Sequence, residues 1–112
     1  MNFSEFNVPN NLEGGPKSGK VRTVTALDEI LAIKLLGADI DLKKADSSSF
    51  LQFQVLVLLS VIEEDGMRVE SPQSMDEVYY RLGRFSRISW NKVQEAFTKL
   101  NNEEADPNAS TP

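Results

Sequence analysis

Cysteine and histidine are both absent from the 112 residues. Without cysteine there is no disulfide and no thiolate nucleophile; without histidine there is no Ser-His triad, and most zinc sites go with them. Positive charge is also in short supply. Twelve Lys and Arg stand against 17 Asp and Glu, a net charge of −5, and a general nucleic-acid binder needs a basic surface that replaces counterions. Long apolar runs are scarce as well. The longest, residues 50–62, has ten strongly apolar residues in thirteen, interrupted by Gln52, Gln54 and Ser60; a membrane-spanning helix needs about 20. The first eleven residues have neither the basic region nor the apolar core of a signal peptide, so a cytoplasmic protein without a membrane span is expected. The length suits one domain, and a composition 40% hydrophobic and 26% charged is ordinarily globular.

The apolar run organises what is present. Ser49 followed by Gln52 has the form of a capping box, and Gly66 after Glu63, Glu64 and Asp65 has the form of a helix stop. About sixteen residues between these signals predict a helix rather than a strand, although Val55 to Leu59 has β propensity. A helix apolar on nearly every side is buried on nearly every side, so it is expected at the centre. Around it, Thr25 and Asp28 cap a helix over 26–36 that ends at Gly37, with Leu27, Ile30 and Leu31 on one face. Ser74 and Glu77 open a third helix through Leu82. Ser89 opens a fourth, in which Trp90, Val93, Phe97 and Leu100 form an amphipathic stripe. Val21 to Thr25 and Met67 to Val69 alternate loosely, as short extended segments do. Residues 1–20, rich in Gly and Pro, read as a flexible N-terminal arm, 21–101 as a helical domain, and 102–112 as a disordered acidic tail. The expected fold class is therefore all-α, a small four-helix domain around a buried central helix, with flexible termini. An 80-residue core folds with a small margin, so self-association is a candidate property.

Few constellations suggest chemistry. Gly14, Gly19 and Lys20 have phosphate-loop spacing, but Val21 stands where a magnesium-holding Ser or Thr is needed and no buried strand precedes them, which leaves a linker. Asp39, Asp41 and Asp46 lack the glycine and terminal glutamate of a calcium loop, so a solvated connector is expected. Glu63, Glu64 and Asp65 point in different directions from a helix end and supply no acid–base pair. No nucleophile has an evident base. The expectation is a non-enzyme with no catalytic residue, cofactor or metal. Two alternatives rest on charge. Arg84, Arg87 and Lys92 near the start of the fourth helix would serve a helix-turn-helix DNA-binding regulator. Glu63, Glu64, Asp65, Asp76 and Glu77 would serve an acidic inhibitor that mimics nucleic acid.

The order of segments, VRTVTALDEILAIKLL, an apolar middle helix, then EEDGMRVESPQSMDEVYYRLGRFSRISWNKVQEAF, resembles the small tail assembly chaperones of long-tailed bacteriophages and related baseplate assembly proteins over residues 21–100. The resemblance lies in lengths and turns, above all the Asp65-Gly66 turn, and fixes no motif residue. It implies a non-enzymatic assembly chaperone or adaptor that coats a helical tape-measure protein until tail-tube subunits polymerise around it. A groove between the first helix and the hairpin of the third and fourth would hold such a partner, with Leu27, Leu31, Tyr79, Tyr80, Phe85 and Trp90 as contacts.

Overall fold

The computed structural model describes residues 2–37 and 45–105, and side chains within 2–37 and 49–102. It is a mixed α/β fold. Eight elements follow in the order β1 (Phe3–Asn7), β2 (Ser18–Arg22), α1 (Ala26–Leu36), α2 (Ala45–Ser60), β3 (Val61–Glu64), β4 (Met67–Arg68), α3 (Met75–Leu82) and α4 (Arg87–Ala105). The four strands form one antiparallel sheet in the order β1-β2-β3-β4. The all-α expectation is thereby overturned. The four helices are there, but they are built on a sheet made from the segment read as a flexible arm and from the end of the apolar run.

Two local features hid the strands. The run at 50–62 divides: it is helical to Ser60 and extended from Val61 onward, with no glycine between. The helix end is satisfied by side chains instead. The Ser60 hydroxyl donates to the Val57 carbonyl, and Arg22 Nη2 donates to that of Leu59 at 3.4 Å. Gly66 then closes a hairpin rather than a helix. Asp65 (φ 52°) and Gly66 (φ 82°) are both left-handed, as the tight turn between β3 and β4 requires. The Asp65 carboxylate also accepts from the backbone of Lys17 and Ser18, so the turn grips the start of β2. The second feature is the poverty of β2. It offers Val21 alone as an apolar inward residue, and Gly19 leaves the space in which the Phe6 ring lies; a Cβ on Gly19 would come within 2.4 Å of that ring.

One sheet face is covered. α4 lies over β1 and β2, and α2 over β2 and β3, while α1 and α3 each pack against α2. Val21, Val55, Val57, Leu58, Val61, Val78 and Val93 are sealed from solvent, each side chain contributing roughly 1.5–3 kcal/mol. On the open face the register sets Glu5 opposite Lys20, Lys20 opposite Glu63, and Glu63 opposite Arg68. This row of alternating sign suits a face in water.

Helix boundaries follow their caps. Thr25 and Asp28 form the predicted capping box on α1. Ser74 caps α3, while Glu77 reaches past it to the backbone N–H of Gln73. α4 starts earlier than predicted, because Ser86 rather than Ser89 accepts the helical N–H. It also runs on past Asn101, through Ala105. Residues 106–112 of the expected tail lie outside the described residues.

Asp28 does more than cap. Its two oxygens accept Arg22 Nη1 at 2.8 Å and Nη2 at 2.9 Å, both partners nearly buried. The guanidinium fork holds the Asp28 carboxyl down at about 2, from 3.8, and raises the pKa of Arg22. Because the folded pKa is the lower one, the pair's contribution is complete above pH 4 and is lost as pH falls towards 2. Urea unfolding between pH 2 and 7 should show the wild type losing about 2 kcal/mol over that window from this group. Asp28→Asn should be less stable at pH 7, and its gap to the wild type should narrow from pH 4 to pH 2; a gap independent of pH would contradict the assignment.

Candidate helix-binding surface

Only part of α2 is buried. Val55, Val57, Leu58 and Leu59 face the core, whereas Ser49, Gln52, Phe53 and Leu56 form a stripe at i, i+3, i+4 and i+7 that stays open or half open. Three depressions run along this stripe and share its residues. The first, about 420 Å³, is lined by Ala26 and Glu29 of α1, Leu56 of α2, and Phe97, Asn101 and Asn102 of α4, with Val24 and Thr25 at its end. The second joins Leu56 to Phe53, Gln52 and Ser49. The third, about 540 Å³, runs from Phe53 along Asn91, Gln94, Glu95, Thr98 and Lys99 of α4. Sharing Leu56 and Phe53, they form one furrow floored by Leu56, Phe53 and Phe97, with α4 along one side and the start of α1 opposite it at the Leu56 end.

Polar side chains hold the walls in place. Gln54, which looks like an interruption of the apolar run, is buried. Its Oε1 accepts the Trp90 indole N–H at 2.6 Å, and its Nε2 donates to Gln94. This chain pins α4 to α2 beside the furrow. At the far end the Asn101 side chain accepts from the Val24 backbone at 2.8 Å and donates to the Phe97 carbonyl, tying the lead into α1 to α4. Phe53 meets Phe97 edge-on with ring centroids 5.7 Å apart. The floor is therefore apolar and fixed, and the rim is amide, hydroxyl and mixed charge.

The expected contact residues divide. Leu27 (61% exposed), Leu31, Tyr79 and Tyr80 (71%) are at the surface. Phe85 and Trp90 are in the core, their rings 5.1 Å apart and tilted at 56° to each other, with Phe6 beside Phe85, so a partner docking on the folded domain does not reach them. α1 and α3 pack on α2 without extensive contact between them; the furrow lies between α1 and α4 instead. Phe53, Leu56 and Phe97 were not singled out from sequence as contacts. The signal for the first two was the polar spacing within the run, Ser49 and Gln52 one turn apart on the same side as Phe53 and Leu56.

The charged clusters are largely committed elsewhere. Glu64 is buried and meets Arg84 Nη1 at 3.0 Å and Arg81 Nη2 at 3.6 Å, while Arg81 Nη1 donates to the Glu70 carbonyl. Lys20 stands 3.9 Å from Glu63 and over the Phe3 ring. Lys17, in the glycine-rich loop, donates its ammonium to the carbonyls of Asn11 and Leu12. So Arg84 is bound to the sheet, and Glu63, Glu64 and Asp65 each have an internal partner. Asp39 and Asp41 lie outside the described residues, and no helix among the described residues is long and apolar enough to cross a membrane. No protein-family model, curated protein or solved structure matches the chain.

The Glu64 cluster is a brace between β3 and α3. Glu64→Gln keeps its shape but strands two guanidinium groups, and should lower unfolding free energy by about 3 kcal/mol. A urea titration with an unchanged slope and a lower midpoint would report this.

Proposed function

We propose that the protein is a non-enzymatic adaptor of the assembly-chaperone type, which holds an amphipathic helix of a partner protein in the furrow over α2. The observation that carries the reading is the open stripe of α2, with α4 along one side and the start of α1 on the other at its Leu56 end, floored by Phe53, Leu56 and Phe97. A helix laid there completes a layer that α1, α2 and α4 leave unfinished, with its own stripe at i, i+3 or i+4, and i+7 on the floor. The apolar floor gains from desolvation, and the amides of Asn91, Gln94, Asn101 and Asn102 meet the polar flanks. Arg22 and Asp28, the pair whose charged forms hold one another, are committed to the fold at the start of α1. The likeness to phage tail assembly chaperones supplies the partner class: a long helical protein of tape-measure type, which exposes apolar helical faces until its tube forms around it.

Co-expression with such a partner tests the proposal. The wild type should keep the partner soluble and co-purify with it. Phe53→Glu, folded by circular dichroism, should weaken the complex at least tenfold. Because the floor is uncharged, raising salt from about 0.1 M to 1 M should leave affinity within about threefold. Equal retention of the partner by folded Phe53→Glu would overturn the reading.

A further inference from the structure

The sheet has two edges, and they differ. β4 spans two residues, too short to template a further strand. β1 spans five, Phe3–Asn7. The Val8 N–H donates to the Lys17 carbonyl and the Thr23 N–H to that of Asn2, so the even-numbered residues of β1 carry the ladder to β2. The N–H and C=O groups of Phe3, Glu5 and Asn7 therefore point away from the sheet. No hydrogen bond among the described residues takes them, and all three residues are exposed. The alternation holds one strand further in, where Ser18 turns its carbonyl to the Asp65 N–H on the β3 side. Edges are commonly protected by a proline, a bulge or an inward-pointing charge, and Phe3–Asn7 has none of these.

We propose that β1 is a docking edge for an extended, basic segment of another protein, which adds a fifth, antiparallel strand and sets a Lys or Arg opposite Glu5. Charge selects this occupant. Across the open face the row runs Arg68, Glu63, Lys20, Glu5, alternating in sign, and it stops at the edge on an acid. The Lys20 ammonium is already committed, 3.9 Å from Glu63 and 5.0 Å from the centre of the Phe3 ring. Glu5 has no ion pair among the described residues. A strand laid against β1 meets this free carboxylate at its middle, and a cation there continues the row. A depression of about 450 Å³ beside Glu5, shared with Asn7, Ser18 and Glu63, has room for a long side chain. Two positions to either side, the same strand meets Phe3 and Asn7, so an apolar and a polar residue flank the cation. A second copy fits poorly. Phe3–Asn7 contains no Lys or Arg, so no register of β1 against β1 sets a cation opposite Glu5, and the centred one sets Glu5 opposite itself. The edge shares no residue with the furrow over α2.

The capped peptide acetyl-Thr-Val-Lys-Thr-Phe-amide has this pattern for antiparallel docking and serves as the probe. Titrated to about 5 mM into the isotopically labelled full chain, it should shift the amides of Phe3, Glu5 and Asn7 and slow their hydrogen exchange. Replacing its Lys by Glu should weaken binding about fivefold, and Glu5→Lys, folded by circular dichroism, should reverse that preference. The peptide methylated on the backbone nitrogen of its Lys should not bind, because that N–H is the ladder donor to Glu5. Phe53→Glu should bind the probe as the wild type does, so the result is read apart from the furrow. Absent shifts at the top of the titration, equal binding of the Lys and Glu peptides, or normal binding of the methylated peptide would overturn the inference. So would β1 amides that move on dilution of the chain alone, which would assign the edge to a second copy.

Discussion

The fork between Arg22 and Asp28 is the joint through which sheet and helices are related. Arg22 ends β2, Asp28 opens α1, and the same guanidinium reaches the last carbonyls of α2 through Leu59. A nearly buried charge pair is retained only when its geometry is good and its remaining donors and acceptors are used. Here the second Asp28 oxygen also takes the Thr25 N–H and hydroxyl, and the first guanidinium nitrogen also serves the Thr23 carbonyl. Rotating α1 by one residue would break the fork and bring Leu27 and Leu31, or Glu29 and Ile33, to the places of Asp28 and Ala32. The pair thus decides which side of a nearly all-apolar helix faces water, and so which apolar side chains are left for other molecules.

The central helix is shaped by the same division. Its second half is enclosed by sheet and helices because β3 follows it without a break and draws Leu58, Leu59 and Val61 inward. Its outer stripe is left uncovered because α1 and α4 flank α2 without meeting above it. Gln54 and Asn101 hold that spacing by hydrogen bonds, beside the edge-on contact of Phe53 with Phe97.

Helices were legible wherever a cap and a periodic stripe agreed. Thr25 with Asp28, Ser74 with Glu77, and the stripe from Trp90 to Leu100 all mark elements that are present. Most of the sheet was not legible because its strands are short and their inward positions are filled by Gly19, Glu64 and single valines; the loose alternation of Met67 to Val69 marks β4, and that of Val21 to Thr25 only the end of β2. What makes them strands is non-local: Gly19 gives Phe6 its seat, Asp65 grips Lys17 and Ser18, and Glu64 faces Arg81 of α3 and Arg84 of the turn after it. The floor of the furrow was not legible: Leu27, Leu31, Tyr79 and Tyr80, expected as contacts, are exposed but line no part of it. The exposure of Leu27, Leu31, Tyr79 and Tyr80 agrees with their large size near element ends, whereas Phe85 and Trp90 share that size and are drawn into the core by Phe6 and Gln54. No periodicity argument can separate those two outcomes, because it cannot see a partner 36 or more residues away.

The furrow over α2 is the central claim, and the most direct measurement is a chemical-shift titration of the isotopically labelled chain with an amphipathic helix from a tape-measure-like partner. Backbone amides of Gln52, Phe53, Leu56, Gln94, Glu95, Thr98 and Asn101 should shift together and saturate at one stoichiometry, with those of Tyr79 and Tyr80 unmoved. Saturating shifts centred on α3, with the furrow amides unchanged, would contradict the account.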